Sequence, residues 1–298
     1  MTFARVDKKN KIYASAALIL TFVAIILRLV CLVGFYDGDI GYFEDAFLPK
    51  LLFVFSLIAA LSFISSLFVS APKSDVKCAS EENVFTKVAS VLAALAFGAF
   101  FAISVLSTSL VASVTVFDLL SKLISLLAVV YFAINLFSPS VNRCAQTLIG
   151  FAVILWGIYV IGVTYFDIYV QLNSPDKITV HLALLCAMHF LVNEFRCFVD
   201  SPKKRMYLAS ACLCVFFTGI EAIPSLINGF ISGFEFYNYF AYDVVIFALF
   251  IYSLARLCTL AFSKEKELFG AKNTQNKTEA EQQLEIPDNK EETAETEE

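Results

Sequence analysis

Three ionisable residues stand within largely apolar stretches, each near one end of its run. Arg28 lies about six residues before the end of one hydrophobic run, and Glu221 stands at a similar distance from the end of another. His181 falls three residues inside a third run. An ionisable side chain at membrane depth is unfavourable by ~2.5 kcal/mol or more, so such residues pair, line a hydrated path or bind a solute. Arg28 and Glu221 carry opposite charges at matching depth and are expected to pair, with His181 close by. Pro224, three positions after Glu221, removes a backbone donor and frees a carbonyl there. Two chemistries fit this set. A polar pocket open to the outside would bind a small solute or relay protons. The simpler use is an ion pair that fixes helix register, beside a histidine reaching the interface.

The second cluster of chemistry-bearing residues is His189, Asn193, Glu194 and Arg196. His189 and Asn193 are four apart and share a helical face. The pattern superficially resembles one motif of the CAAX-protease-like intramembrane peptidases, which join such a histidine to a Glu-Glu-x-x-x-Arg motif and a further histidine on separate helices. Here Glu81-Glu82 is followed by Lys87 at the wrong spacing, and the two histidines of the chain fall on one helix. Glu194 and Arg196 are therefore expected at the cytoplasmic interface, with Lys122 and Arg256 snorkelling from helix ends. The chain contains no Walker loop, no strand-borne GxGxxG and no Gly-x-Ser-Gly. No catalytic residue, metal ligand set, cofactor or nucleic-acid partner is expected.

The elements that must position these residues follow from composition. Of 298 residues 59% are hydrophobic and 16% charged, with 31 Phe and a mean hydropathy of +0.74. Soluble domains run nearer half apolar and a quarter charged, so a water-soluble enzyme is excluded. Eight runs are long enough to cross a bilayer: 12–34, 51–69, 88–106, 119–137, 147–166, 178–199, 206–227 and 243–262. They are continuous rather than alternating, which predicts an all-α polytopic bundle of eight transmembrane helices and no barrel.

Charge sets the orientation. With the N-terminus inside, 15 Lys and Arg flank the spans on the inner side, against Lys50, Lys122 and Lys177 outside. Both termini are then cytoplasmic, in keeping with an even number of spans, and a bacterial cytoplasmic membrane is the expected location. The first span is expected to stay as an anchor, because it contains Arg28 and lacks a small-x-small cleavage site. No outer loop carries a cysteine, so the eight thiols are expected to be reduced.

Three regions follow: a basic N-terminus at 1–11, the membrane domain at 12–262 and a tail at 263–298. The tail holds 5 basic and 11 acidic groups and too little apolar surface to fold alone. It is read as a solvated, disordered segment, or as a docking site for a cationic cytoplasmic partner. No internal repeat is visible. A small-residue stripe of Ser90, Ala94, Gly98 and Ala102, with Gly150 and Gly157, suits close helix packing, whether within the bundle or in a homo-oligomer.

The first outer loop, Gly34 to Asp45, places Asp37-Gly38 in a turn and gathers Asp37, Asp39, Glu44 and Asp45 among aromatics. Its spacing fails the EF-hand pattern, which leaves a solvated acidic turn or capture of a cation. The basic, then apolar first helix and this loop resemble uncharacterised multi-pass proteins of Gram-positive gut bacteria, a resemblance confined to that region and implying no activity. The last outer loop is aromatic: Phe230, Phe234, Phe236, Tyr237, Tyr239, Phe240 and Tyr242. It suits a segment lying along the outer leaflet, or a lid over the Arg28–Glu221 pocket. The functional expectation is an integral membrane protein, with the lipid bilayer as its partner and a non-enzymatic role that is structural, sensory or accessory. The alternative is a secondary transporter or solute-binding protein with its site at Arg28, His181 and Glu221.

Overall fold

A computed structural model describes residues 3–37, 41–68, 84–109, 116–137, 143–168, 171, 173–199, 204–231 and 240–262. Eight α-helices account for nearly all of it: α1 (Phe3–Gly34), α2 (Phe47–Ser65), α3 (Val84–Ser109), α4 (Val116–Phe137), α5 (Arg143–Phe166), α6 (Pro175–Phe198), α7 (Lys204–Ile231) and α8 (Phe240–Phe262). Each includes a stretch long and apolar enough to span a membrane. The chain is a multi-pass membrane protein, an all-α bundle whose helices meet their backbone groups internally, apart from the carbonyl that Pro224 frees within α7. The tail lies outside the described residues, as does 232–239 of the aromatic loop.

A heptad seam of mostly small residues explains how α1 docks. Ala14, Ala17, Thr21, Ala24, Arg28 and Cys31 recur at alternating steps of three and four, and all are buried. The opposite face presents Ile12, Ile19, Phe22, Ile26 and Val33 outward, an apolar surface that only lipid covers without penalty. The seam rests on α7, and the approach is close: a Cβ on Gly219 would stand 2.9 Å from Thr21 Cγ2 and from the Phe250 ring. Helix α7 is the most buried of the eight and packs against α1, α6 and α8, whereas α2 is mostly exposed. Around them α3 packs on α4 and α8, and α5 bridges α4 and α6.

The α3 stripe runs differently from the sequence expectation. Ser90 is buried, but Ala94 and Gly98 are only partly so and Ala102 is exposed. Steps of four residues advance 400° and drift off a straight face, so burial passes instead through Ala89, Ala93, Ala96 or Phe97, and Phe100. On α5 the glycines serve packing as expected. A Cβ at Gly150 would lie 2.6 Å from the Phe195 ring and 2.9 Å from Tyr131, and one at Gly157 3.1 Å from Met188 Sδ.

Between α1 and α2 the chain makes a short antiparallel ribbon, β1 (Tyr36–Asp37) with β2 (Tyr42–Phe43), pairing Tyr36 with Phe43. Gly41 enters β2 with φ +75°, a left-handed conformation that favours glycine, and its N–H donates to Asp37 O at 2.8 Å. Cys31, Cys144, Cys186, Cys212, Cys214 and Cys258 are free thiols. Cys197 at the end of α6 is disulfide-bonded, contrary to the expectation of reduced thiols throughout.

Candidate functional site

The start of α6 is built by its own sequence. Ser174 caps the helix by accepting from the Lys177 N–H at 3.2 Å, and Pro175 occupies the first turn. Asp176 then sits where the helix dipole favours negative charge. Asp176 and Thr179, three apart, face α1 together.

Arg28 reaches them from the α1 seam. Its Nη2 donates to Glu221 Oε2 at 2.8 Å and to Asp176 Oδ1 at 3.1 Å, while Nη1 donates to Thr179 Oγ1 at 2.5 Å. Thr179 donates in turn to Pro175 O at 2.6 Å, so its lone pairs are available to the guanidinium. Ser225, one turn after Glu221, donates to Glu221 Oε1 at 3.2 Å. Both oxygens of Glu221 are thereby engaged. Pro224 lies within α7 beside these two residues.

One guanidinium thus stands between two carboxylates, leaving the ionised set with an excess negative charge. The Arg28 and Glu221 side chains are each 3% exposed, and Asp176 is 32% exposed. The cluster therefore meets its surroundings through Asp176. Tyr36, on the ribbon that follows α1, hydrogen-bonds to Asp176. Burial pushes the Tyr36 hydroxyl well above the usual tyrosine range, and the negative charge of Asp176 pushes it further, so Tyr36 stays a donor.

His181 does not join this group. It lies on another side of α6, where Nε2 is 2.8 Å from Thr164 Oγ1 of α5. Lys177, four residues before it, turns the same way and donates to Asp167 O at 2.7 Å. The structure brings together Arg28 and Glu221, adds Asp176, Thr179, Ser225 and Tyr36, and directs His181 to α5. Asp176 was visible in the sequence only as one more acidic residue; the Ser-Pro-Asp cap signal was the available clue that it opens a helix.

A second charged cluster stands at the other end of α6. Glu194 is buried within the bundle, 2% exposed. Arg256 Nε of α8 donates to Glu194 Oε1 at 2.7 Å, and Tyr252 Oη donates to the same oxygen at 2.9 Å. Arg256 also reaches Tyr252 Oη at 3.1 Å through Nη2 and lies over its ring at 5.4 Å. The expected snorkelling of Arg256 gives way to this pair, because a carboxylate one helix away neutralises the charge without leaving the bundle. His189 is exposed, with its carbonyl accepting from Asn193 Nδ2 at 2.9 Å. Among the described residues no three His, Cys, Asp or Glu side chains gather to hold a metal ion. No protein-family model, curated protein or solved structure matches the chain.

Proposed function

We propose that this is a non-enzymatic protein of a bacterial cytoplasmic membrane, with both termini in the cytoplasm and an accessory or structural role. The observation that carries the reading is the engagement of Glu221. Each of its oxygens has a protein partner, and its charge is met by Arg28 of a helix far away in sequence. A catalytic acid or base needs a face turned to a substrate; this carboxylate is turned to an arginine and a serine. The histidines are likewise occupied locally, His181 by Thr164 and His189 beside Asn193.

A second reading is favoured by Asp176. It is a partly exposed carboxylate in a cluster with excess negative charge, and it would suit an outward-facing protein that binds a cationic solute. Thermal unfolding of the purified protein across a panel of metal cations, amines and neutral sugars separates the two. The first reading expects the same Tm throughout. A solute that raises Tm in the wild type and fails to do so in Glu221→Gln would overturn it in favour of the second.

A further inference from the structure

The Arg256 end of the bundle holds polar atoms that neither the ion pair nor the aromatic packing uses. Arg256 Nε and Tyr252 Oη both address Glu194 Oε1, at 2.7 and 2.9 Å. The other carboxylate oxygen, Oε2, is buried and has no hydrogen-bond partner among the described residues. Two buried atoms of α4, Tyr131 Oη and Asn135 Nδ2, share that condition. All three belong to one neighbourhood. The Tyr131 ring meets Phe195, the residue after Glu194, edge-on at 5.8 Å, and Phe132 meets Tyr252 at 5.2 Å. The Tyr131 hydroxyl lies within electrostatic reach of Glu194, Tyr252 and Arg256, and beside the Asn135 amide without a hydrogen bond of good geometry. Gln146 of α5 donates to the Asn135 carbonyl oxygen, which orients that amide and leaves Nδ2 for another acceptor. A buried polar atom left bare is unfavourable by about 1–3 kcal/mol, and interiors meet such atoms with protein groups or ordered water.

We infer that Glu194 Oε2, Tyr131 Oη and Asn135 Nδ2 line an internal hydration site between α4, α6 and α8. Charge selects the occupant. Arg256 and Glu194 already neutralise each other, so an added ion would bring uncompensated charge into a low-dielectric interior. Hydrogen-bond chemistry narrows it further. Glu194 Oε2 requires a donor, Asn135 Nδ2 requires an acceptor, and the Tyr131 hydroxyl serves as either. Water is the small neutral molecule that supplies both roles, and two to four polar partners are what an internal water needs. The site links α4 by hydrogen bonds to an ion pair that otherwise joins only α6 and α8.

X-ray radiolysis of the full-length protein in lipid nanodiscs tests this, because bound water releases hydroxyl radicals in place and mass spectrometry reads the side chain they modify. Tyr131 should be modified several-fold faster than Phe216, which is equally buried but surrounded by apolar rings. Equal, slow modification of the two would overturn the inference. In a Glu194→Met/Arg256→Met variant, which removes both charges together, the Tyr131 rate should fall to that of Phe216, with exposed Tyr165 unchanged. Asn135→Leu leaves the ion pair intact and should also slow Tyr131. Persistence of fast modification in the Asn135 variant would equally count against the site.

Discussion

Arg28 and Glu221, 193 residues apart, meet at 2.8 Å between α1 and α7, and Asp176 of α6 completes a junction of three helices on one guanidinium. The geometry is asymmetric: the cation is shared, whereas each anion has a partner besides it. Removing the arginine leaves two carboxylates facing each other; removing one carboxylate leaves an ion pair.

Arg28→Ala should therefore destabilise the bundle by about 3 kcal/mol or more, the range for stripping a buried charge of its partner. Glu221→Gln, which keeps the shape and retains Asp176 for Arg28, should cost no more than about 1–2 kcal/mol. Thermal unfolding in a mild detergent ranks the two. Equal losses, or a larger loss for Glu221→Gln, would show that the guanidinium is not shared as described.

Gly150→Ala should be disruptive, because the new methyl meets the Phe195 and Tyr131 rings at 2.6 and 2.9 Å, inside the wall of a packed core. Overpacking of this kind costs roughly 1–3 kcal/mol. Gly162→Ala, on the same helix with nothing within 4 Å, should be neutral or slightly stabilising. Their melting temperatures, measured side by side, check the packing of α5 against α4 and α6.

Tyr36 gives a pH dependence with a definite sign. Its proton is held more tightly in the folded protein than in the unfolded chain, so its stabilising contribution is complete below the ordinary tyrosine value and declines as pH rises past it. Unfolding followed between about pH 8 and 11 should show a shallower alkaline loss for Tyr36→Phe than for the wild type. Identical slopes would show that burial and the Asp176 charge do not hold the Tyr36 hydroxyl above its ordinary range.

Topology is open to a direct test. With 15 basic residues on one side against three on the other, alkaline phosphatase fused after Glu44 should be active in a bacterial host, and the same enzyme fused at the C-terminus inactive. The reverse pattern would invert the whole protein.

Hydropathy made the eight helices legible because lipid imposes one rule on every spanning segment. The runs read from sequence end close to the helices, but α2 to α8 each begin two to four residues earlier than their apolar runs. Lys50, Lys87, Arg143 and Lys177 lie in those first turns, where a helix continues through polar residues that hydropathy discounts. The matching depth of Arg28 and Glu221 was also readable, since both distances run along the chain. Angular position was harder. His181 and Asp176 occupy different sides of α6, and a run of apolar residues does not say which side meets α1. For Arg28 the clue was present: Ala14, Ala17, Thr21 and Ala24 step directly to it, and small residues in lipid mark the face that approaches another helix. Glu194 and Arg256 required knowing that α6 and α8 are neighbours, which span counting cannot supply.

The span of sequence between these charges bears on how the protein is made. Helices enter the membrane in the order of their synthesis, so Arg28 precedes Asp176 by 148 residues and Glu221 by 193. Glu194 likewise waits for Arg256, in the last of the described helices to emerge. Until then each charge must be tolerated in lipid or at its edge, or be shielded by the insertion machinery. A nascent chain halted before α7 would hold Arg28 by Asp176 alone, without its closer partner Glu221, and would carry Glu194 without the arginine that neutralises it.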